Sequence, residues 1–145
     1  MAVVLTPTPA TDAAAGEAVA SMWRALGARV VLLAPAAHDA AIAAVSHLPH
    51  VAAFALAGAL ADEAGSLAGL AGGSFDSGTR VAASAPAAWV EILLANRAAL
   101  APWVERFAAR VEALREALVA DDAESLGALL PEGGAASARV LGPKP

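Results

Sequence analysis

Apolar and polar positions in the first 33 residues predict a strand, a helix and a second strand. Val3–Leu5 is a short apolar run that ends in two Thr-Pro pairs, which is typical of a strand leaving into a loop. Thr11 or Asp12 can cap the helix that follows. The apolar stripe of this helix consists of Val19, Met22, Trp23 and Leu26, and Gly27 provides its stop. Arg29–Leu33 then predicts a second strand of the buried type.

These three elements form one βαβ unit, which normally belongs to a larger sheet. Two strands alone are only marginally stable in water. We therefore predict that residues 1–34 are the edge of a larger sheet.

The central part of the chain is predicted to be helical. One segment runs from Pro35 to about Ala64 and is interrupted at Pro49, whose missing N–H removes a bond to the carbonyl of Val45 and kinks the helix. Residues 65–78 are rich in glycine and serine, and 72–78 are predicted to form a loop.

Three further helices are predicted beyond this loop. Pro86 suits the first turn of a helix capped near Ser84, with Trp89 on one face. The next helix, from about Pro102 to Ala120, carries apolar residues at alternating spacings of three and four. We call this row the seam, and it consists of Val104, Phe107, Val111, Leu114 and Leu118. Such a row predicts helix–helix packing, either within the chain or between two subunits.

The C-terminal end is predicted to be a short helix and a tail. Asp121 with Glu124 forms a plausible capping pair for that helix. Residues 131–145, rich in glycine, alanine and proline, are predicted to be a flexible tail.

Composition points to apolar surface that one short chain cannot bury. Hydrophobic residues make up 59% of the 145 residues and charged residues 16%, against about 45–50% and about 25% in ordinary domains. A partner surface and a GC-rich genome explain this alanine-rich composition equally well. The net charge of −5 and the scattered basic residues argue against nucleic acid as a partner. The absence of cysteine fits a cytoplasmic protein, and the N-terminus has no signal-peptide pattern.

One uncharged stretch, between Asp39 and Asp62, has the length of a membrane span. However, Ser46, His47 and Pro49 lie at its middle, where polar groups cost most in a bilayer. The stretch is therefore predicted to be a buried helix of a folded domain, and no membrane is expected as a partner.

Common nucleotide and hydrolase motifs are absent from the sequence. There is no G-x-G-x-x-G after the first strand, no Walker loop and no G-x-S-x-G elbow. The chain alone is therefore expected to bind neither NAD nor NADP. With no cysteine and three histidines, a structural zinc site is not expected either.

The most informative stretch is Val45–His50, in which two histidines lie three residues apart. On a continuous helix His47 and His50 share one face. Three roles are open for them: metal ligands, partners of backbone groups freed by Pro49, or substrate-binding groups. The third is favoured, because polar groups are costly in an apolar helix unless they are used.

A second candidate is Arg80, directly after the glycine-rich loop. Its fork could grip a carboxylate through two bonds, although on its own a surface or capping arginine is the simpler interpretation. Trp89, judged by its helical stripe alone, is more typical of a core residue.

Together these features resemble the prephenate and arogenate dehydrogenases. The resemblance covers the chain from Val3 to about Leu130, and Ser46–His50 is its most specific part. The other matching segments are Leu5–Thr8, His38-Asp39, Ala53–Leu56, Gly72-Gly73 with Thr79-Arg80, Pro86 with Trp89, and Leu93–Arg97.

The resemblance implies a mostly α fold in which residues 1–34 are the βαβ remnant of a Rossmann-type domain. Residues 35–130 would be an all-helical domain that forms a homodimer and part of the substrate pocket. In the complete enzyme, a hydride passes from prephenate or arogenate to NAD or NADP while carbon dioxide leaves and the ring aromatises. The histidine that accepts the hydroxyl proton would lie upstream, so no catalytic residue is expected in this chain.

The same resemblance assigns substrate-binding roles. Arg80 would hold a substrate carboxylate, His50 would lie in the pocket with His47 and Trp89 close by, and Asp39 would support them. One position departs from the family pattern: Asp76 stands where a basic residue is usual. An acid facing an anionic substrate is unfavourable, so Asp76 is expected to point away.

The sequence thus predicts the C-terminal part of an NAD(P)-dependent prephenate or arogenate dehydrogenase of tyrosine biosynthesis, inactive alone. One alternative is a non-enzymatic helical oligomer, either a decayed enzyme or a piece of one. Another is a separately encoded subunit that is complemented by a nucleotide-binding partner chain.

Overall fold

A computed structural model describes residues 1–142 and is mostly helical, with two short parallel strands. This confirms the predicted fold class. The chain divides into two compact units, Met1–Trp103 and Val104–Pro145. That division differs from the predicted domains 1–34, 35–130 and 131–145, which remain a prediction.

The βαβ unit is present as predicted. Strand β1 (Ala2–Leu5) lies parallel to β2 (Arg29–Leu32), with Val3 opposite Val30, and helix α1 (Ala13–Ala25) connects them. A parallel pair needs such a crossover, because the chain must return to the starting edge before it can run in the same direction.

The ends of α1 follow from single residues. The Asp12 carboxylate accepts a hydrogen bond of 2.8 Å from the Ala15 N–H, so Asp12 rather than Thr11 is the cap. Gly27 has a φ of +78°, which favours glycine, and the helix ends just before it.

The two-stranded sheet is poorly covered within this chain. Leu32 on β2 is 61% exposed, and neither strand contains a buried residue. The predicted burial of the second strand is therefore wrong for this chain. The sheet therefore has open apolar faces, although parallel sheets are usually covered on both faces.

The long central helical run is continuous through its proline. Helix α2 (Pro35–Ile42) passes into a π-turn (Ala43–His47) and then into α3 (Leu48–Gly58). The run ends six residues before the predicted Ala64, and residues 59–70 form successive turns. The wider π-turn absorbs the backbone mismatch that Pro49 creates, because a π-helix pairs each carbonyl with an N–H one residue further along.

This run, Pro35–Gly58, is long and apolar enough to cross a membrane by length and composition alone, with a mean hydropathy of 1.6. The prediction that it is buried does not hold within the chain, because only 17% of its most apolar window is covered. Its middle is nevertheless polar and paired: the Asn96 side chain donates to His47 and to the Asp39 carbonyl. Such cross-links are typical of a helix packed in a folded domain.

The predicted loop at 72–78 is wrong, because Gly73–Thr79 forms helix α4. The Ser77 hydroxyl donates to the Gly73 carbonyl at 2.6 Å and the Thr79 hydroxyl donates to the Phe75 carbonyl at 2.7 Å. At Gly78 an added Cβ would stand 3.7 Å from a methyl carbon of Leu56 on α3. Packing against α3 thus overrides the low helix propensity of glycine and serine.

A short 3-10 helix (Arg80–Ala83) follows and also packs against α3. Helix α5 (Pro86–Ala95) then begins with Pro86 in its first turn, as predicted. The predicted cap is wrong: the N-cap residue is Ala85, without a side-chain bond, and Ser84 instead ends the 3-10 helix.

Helix α6 (Arg97–Val119) begins five residues before the predicted Pro102. Proline so close to a helix start costs at most one backbone bond. Helix α7 (Ala123–Leu141) is capped by Asp122, whose carboxylate accepts from the Ser125 N–H at 3.0 Å, and not by the predicted Asp121. Residues 131–141 continue this helix instead of forming a tail, whereas 143–145 lie outside the described residues.

The helices of the second unit leave apolar side chains uncovered. Val111 and Leu118 of the seam are 48% and 66% exposed, and α6 and α7 have little mutual contact beyond the Arg110–Glu132 ion pair at 2.8 Å. Val111 and Leu118 are therefore not covered by another described part of this unit, whereas Val104, Phe107 and Leu114 are half-buried.

Candidate functional site

The candidate site begins at the π-turn, where Pro49 has no N–H for the carbonyl of Val45. The chain responds by widening, and the Leu48 N–H pairs with the carbonyl of Ala43, five residues earlier. Single π-turns of this kind occur often at functional sites, because they place side chains where a regular helix would not. His47 is the last residue of the π-turn, and His50 follows in the first turn of α3.

His50 uses one ring nitrogen on the backbone. Its Nδ1 lies 2.9 Å from the carbonyl oxygen of Ser46. The bond goes to the carbonyl of Ser46 and not to that of Val45, which Pro49 frees, and it uses only one of the two ring nitrogens. Nε2 of His50 has no hydrogen-bond partner among the described residues, so it can serve a ligand.

His47 is buried, with 8% of its surface exposed. Its Nδ1 lies 3.2 Å from Nδ2 of Asn96, at the end of α5. The same Asn96 nitrogen donates to the backbone carbonyl of Asp39 at 2.9 Å. One amide therefore ties α5 to both α2 and the π-turn.

Trp89 joins the two histidines. Its ring stacks on His50 with centroids 3.5 Å apart and an interplanar angle of 21°, and it meets His47 edge-on at 6.0 Å and 84°. We call His47, His50 and Trp89 the aromatic cluster. Trp89 is also half-buried and lines a hollow of about 290 Å³ with Val51, Phe54, Pro86, Val90 and Leu93. Trp89 is therefore not a fully buried core residue, and one face of its ring contacts the imidazole of His50.

Asp39 supports the cluster mainly through its backbone. Its carboxylate lies 2.9 Å from Nδ1 of His38, while its carbonyl receives the Asn96 bond. The sequence prediction named Asp39 as the support and did not assign Asn96. The available signal was its spacing, because a polar residue seven positions after Trp89 lies on the same helical face.

Arg80 is not part of the aromatic cluster. It starts the 3-10 helix, is exposed, and makes no hydrogen bond or ion pair with any residue in the described part of the chain. That helix packs against α3, which carries His50. An unpaired guanidinium beside the helix that carries His50 is available to an anionic ligand.

Asp76 lies in the first turn of α4 and is exposed. The N-terminal end of a helix favours a carboxylate. This local effect explains why an acidic residue is favourable at position 76. Within residues 1–142, no group of three or more histidine, cysteine or acidic side chains is placed to hold a metal ion.

Burial is the largest cause of a lowered pKa at His47. The neighbouring His50 adds to the lowering of this pKa, Asp39 opposes it, and His38 lowers it slightly. An imidazole in the unfolded chain has a pKa of about 6.5. As the pH falls past this value, the unfolded chain takes up the proton that folded His47 resists, so protonation favours unfolding.

We therefore expect the free energy of unfolding to fall as the pH is lowered from 7.5 to 5.5, because the stabilisation by neutral His47 is complete only above about 6.5. Urea denaturation at fixed protein concentration measures this dependence. His47→Gln should flatten the pH dependence of the free energy of unfolding. His38→Gln, at a more exposed position, should leave most of this dependence in place. An unchanged slope in His47→Gln would contradict the assignment.

Comparison with known proteins shows which family the chain resembles. Residues 34–132 match the family described as prephenate dehydrogenase, dimerization domain. Cyclohexadienyl dehydrogenase of Zymomonas mobilis is 38% identical over 128 residues, which is 86% of this chain and 44% of the relative. Prephenate dehydrogenase of Bacillus subtilis is 29% identical over 126 residues, 85% of this chain and 34% of the relative. The chain thus spans less than half of the length of these two curated relatives.

Solved structures give the same result. Synechocystis arogenate dehydrogenase matches with a TM-score of 0.78 and 26% identity, over 96% of this chain and 52% of that one. Aquifex aeolicus prephenate dehydrogenase, solved with hydroxyphenyl propionate and NAD+, matches with a TM-score of 0.77 and 32% identity, over 96% and 50%. A putative prephenate dehydrogenase of Corynebacterium glutamicum matches with a TM-score of 0.84 and 29% identity, over 99% and 48%.

Because the family match extends from residue 34 to residue 132 and the βαβ unit before it is shared with the solved structures, this chain belongs to the prephenate dehydrogenase family and carries its dimerisation domain.

Proposed function

We propose that this chain supplies the dimer interface and part of the substrate pocket of a cytoplasmic, NAD(P)-dependent prephenate or arogenate dehydrogenase. The observation that carries the proposal is the aromatic cluster in a chain of this family: two imidazoles and an indole in contact, next to a helix that also supports an exposed arginine. An aromatic face and a nearby cation suit a substrate that combines a six-membered ring with carboxylates.

The described residues do not fit a nicotinamide dinucleotide. A dinucleotide site needs a glycine-rich turn that lets backbone N–H groups approach the pyrophosphate at a helix N-terminus. Here the turn between β1 and α1 contains Pro7 and Pro9, which have no N–H, and no glycine. The Asp12 carboxylate already occupies the N-terminus of α1 and would repel a phosphate. The cofactor that accepts the hydride would therefore be held by residues outside this chain.

The residues of this chain would bind and orient the substrate. Arg80 would make two charge-assisted bonds to one carboxylate. His50, with Nδ1 engaged by Ser46, would offer Nε2 to a polar group of the substrate. Trp89 would fix the plane of His50 by stacking, and so set the direction of that nitrogen. Holding the substrate rigidly in this way lowers the entropy cost of reaching the reactive geometry.

We expect the isolated chain to show no binding of NAD or NADP at micromolar concentration. The reason is the proline-containing turn and the acidic cap at the junction between β1 and α1, and the absence of glycine from the junction between β2 and α2. Isothermal titration calorimetry with each nucleotide measures this directly. Micromolar affinity for either nucleotide would reveal a cofactor site in this chain and would contradict the assignment of that site to another segment.

The activity can be tested with a chimera. In it, the nucleotide-binding half of the Zymomonas mobilis relative is fused in frame before Val3 of this chain. We expect formation of NADH or NADPH that depends on prephenate or arogenate, with the nucleotide-binding half alone as the control. Mixing the two halves as separate chains tests complementation in trans. A folded dimeric chimera that turns over neither substrate would contradict the proposed function and favour a non-enzymatic oligomer.

A further inference from the structure

Asn96 has a position that the substrate pocket does not by itself explain. Its Nδ2 atom lies 2.9 Å from the carbonyl oxygen of Asp39 and 3.2 Å from Nδ1 of His47. Asn96 follows the last residue of α5, the helix that carries Trp89. A single side chain thus connects the buried histidine to two backbone segments.

The Asp39 contact fixes which end of the amide faces His47. A backbone carbonyl can only accept, so the group within 2.9 Å of it must be the NH₂ of Asn96. The second hydrogen of that NH₂ group is then directed to the histidine ring. Nδ1 of His47 must therefore accept, which requires that it carries no proton. The neutral ring then has its hydrogen on Nε2, and burial favours that neutral form.

His50 has the opposite arrangement. Its Nδ1 faces the carbonyl oxygen of Ser46 at 2.9 Å, and this oxygen can only accept. Nδ1 of His50 must therefore carry the proton, and its Nε2 is an acceptor when the ring is neutral. The two imidazoles, both in contact with Trp89, are thus held in different tautomers by different partners.

We infer that Asn96 is a positioning residue that holds His47 as the Nε2–H tautomer, opposite to His50, so that the pair offers a ligand one donor nitrogen and one acceptor nitrogen. A mixed pair can recognise a group that both donates and accepts, such as a hydroxyl, whereas two identical tautomers could not. The role towards a ligand rests on the proposed function, but the tautomers are a property of the chain and are measurable without any ligand.

Imidazole ¹⁵N–¹H correlation spectra of the ¹⁵N-labelled full chain, without ligand and above pH 7, report which ring nitrogen is protonated. The chain has three histidines, so His38→Gln and His47→Gln suffice to assign the signals. We expect a single Nε2–H pattern for His47 and a single Nδ1–H pattern for His50. Asn96→Leu removes the donor, so His47 should change to a mixture of tautomers.

Asn96→Asp is the sharper variant, because it is nearly isosteric and its carboxylate can only accept. It should invert His47 to the Nδ1–H form or protonate the ring. His50 should keep its pattern in both variants, since Ser46 holds it, and it therefore serves as an internal control for an intact π-turn. A wild-type Nδ1–H pattern at His47, or an unchanged His47 in folded Asn96→Asp and Asn96→Leu, would overturn the inference. If His47 and His50 show the expected tautomers but the chimera has no turnover, that result would instead count against the proposed function.

Discussion

Replacing Arg80 by alanine in the active chimera should raise KM for prephenate or arogenate about 10- to 100-fold, with a much smaller change in kcat. In the proposed site the guanidinium would hold a substrate carboxylate in the ground state and in the transition state alike, so its loss should weaken binding more than turnover. Each charge-assisted bond contributes about 1.5–3 kcal/mol. In the structure Arg80 is exposed and pairs with none of the described residues, so its removal costs the fold little.

Two further variants make this result specific. Arg80→Lys should restore only part of the affinity, because a point charge lacks the planar fork. Arg29→Ala, at an exposed position on β2, removes the same charge elsewhere and should leave KM unchanged. Steady-state kinetics are compared with the melting temperature of each variant. A normal KM in a folded Arg80→Ala enzyme would remove Arg80 from the substrate site, and a lower melting temperature with normal KM would give it a structural role.

Placing a charge on the seam should have a still larger effect, on the dimer. Leu118 and Val111 are exposed within the described part of their unit, although the seam has the spacing of packed helices. We expect a homodimer that buries more than ~2,000 Å². In a two-fold dimer Leu118→Glu introduces two charges at once, and each unpaired buried charge costs several kcal/mol. The dissociation constant of the dimer should rise at least about 100-fold.

Analytical ultracentrifugation over a dilution series measures the constant. Ala109→Glu provides the matched control, because it adds the same side chain to an exposed position of α6 that is not in the seam. It should leave the dimer intact. A wild-type chain that is a stable, well-folded monomer would contradict the dimer itself, whereas a dimer unaffected by Leu118→Glu would place its interface away from this seam.

Local sequence signals predicted the elements whose ends depend on one or two neighbouring residues. The βαβ unit, the Asp12 cap, the Gly27 stop and the first turn at Pro86 all follow from backbone rules that act within a few residues. The histidine pair was also visible, because two polar residues in a long apolar helix are costly and therefore conspicuous.

Errors arose where distant parts of the chain determine the outcome. Residues 72–78 were predicted to be a loop from their glycines and serines, but Gly73–Thr79 is a helix that packs against α3. A separate error is the predicted tail after Pro131, which is helical as far as Leu141 although a proline inside a helix removes one backbone bond.

The sequence by itself determined the fold class, the family resemblance and the residue types of the candidate site, because periodicity, caps and the Ser46–His50 motif are local. The tertiary structure alone decided how that site is arranged. Trp89 reaches His50 over 39 residues and Asn96 reaches His47 over 49, and no local rule specifies which nitrogen of an imidazole meets which partner. Hydrogen bonds depend on distances of a few tenths of an ångström and on direction. Those are fixed only when α2, the π-turn and α5 pack together.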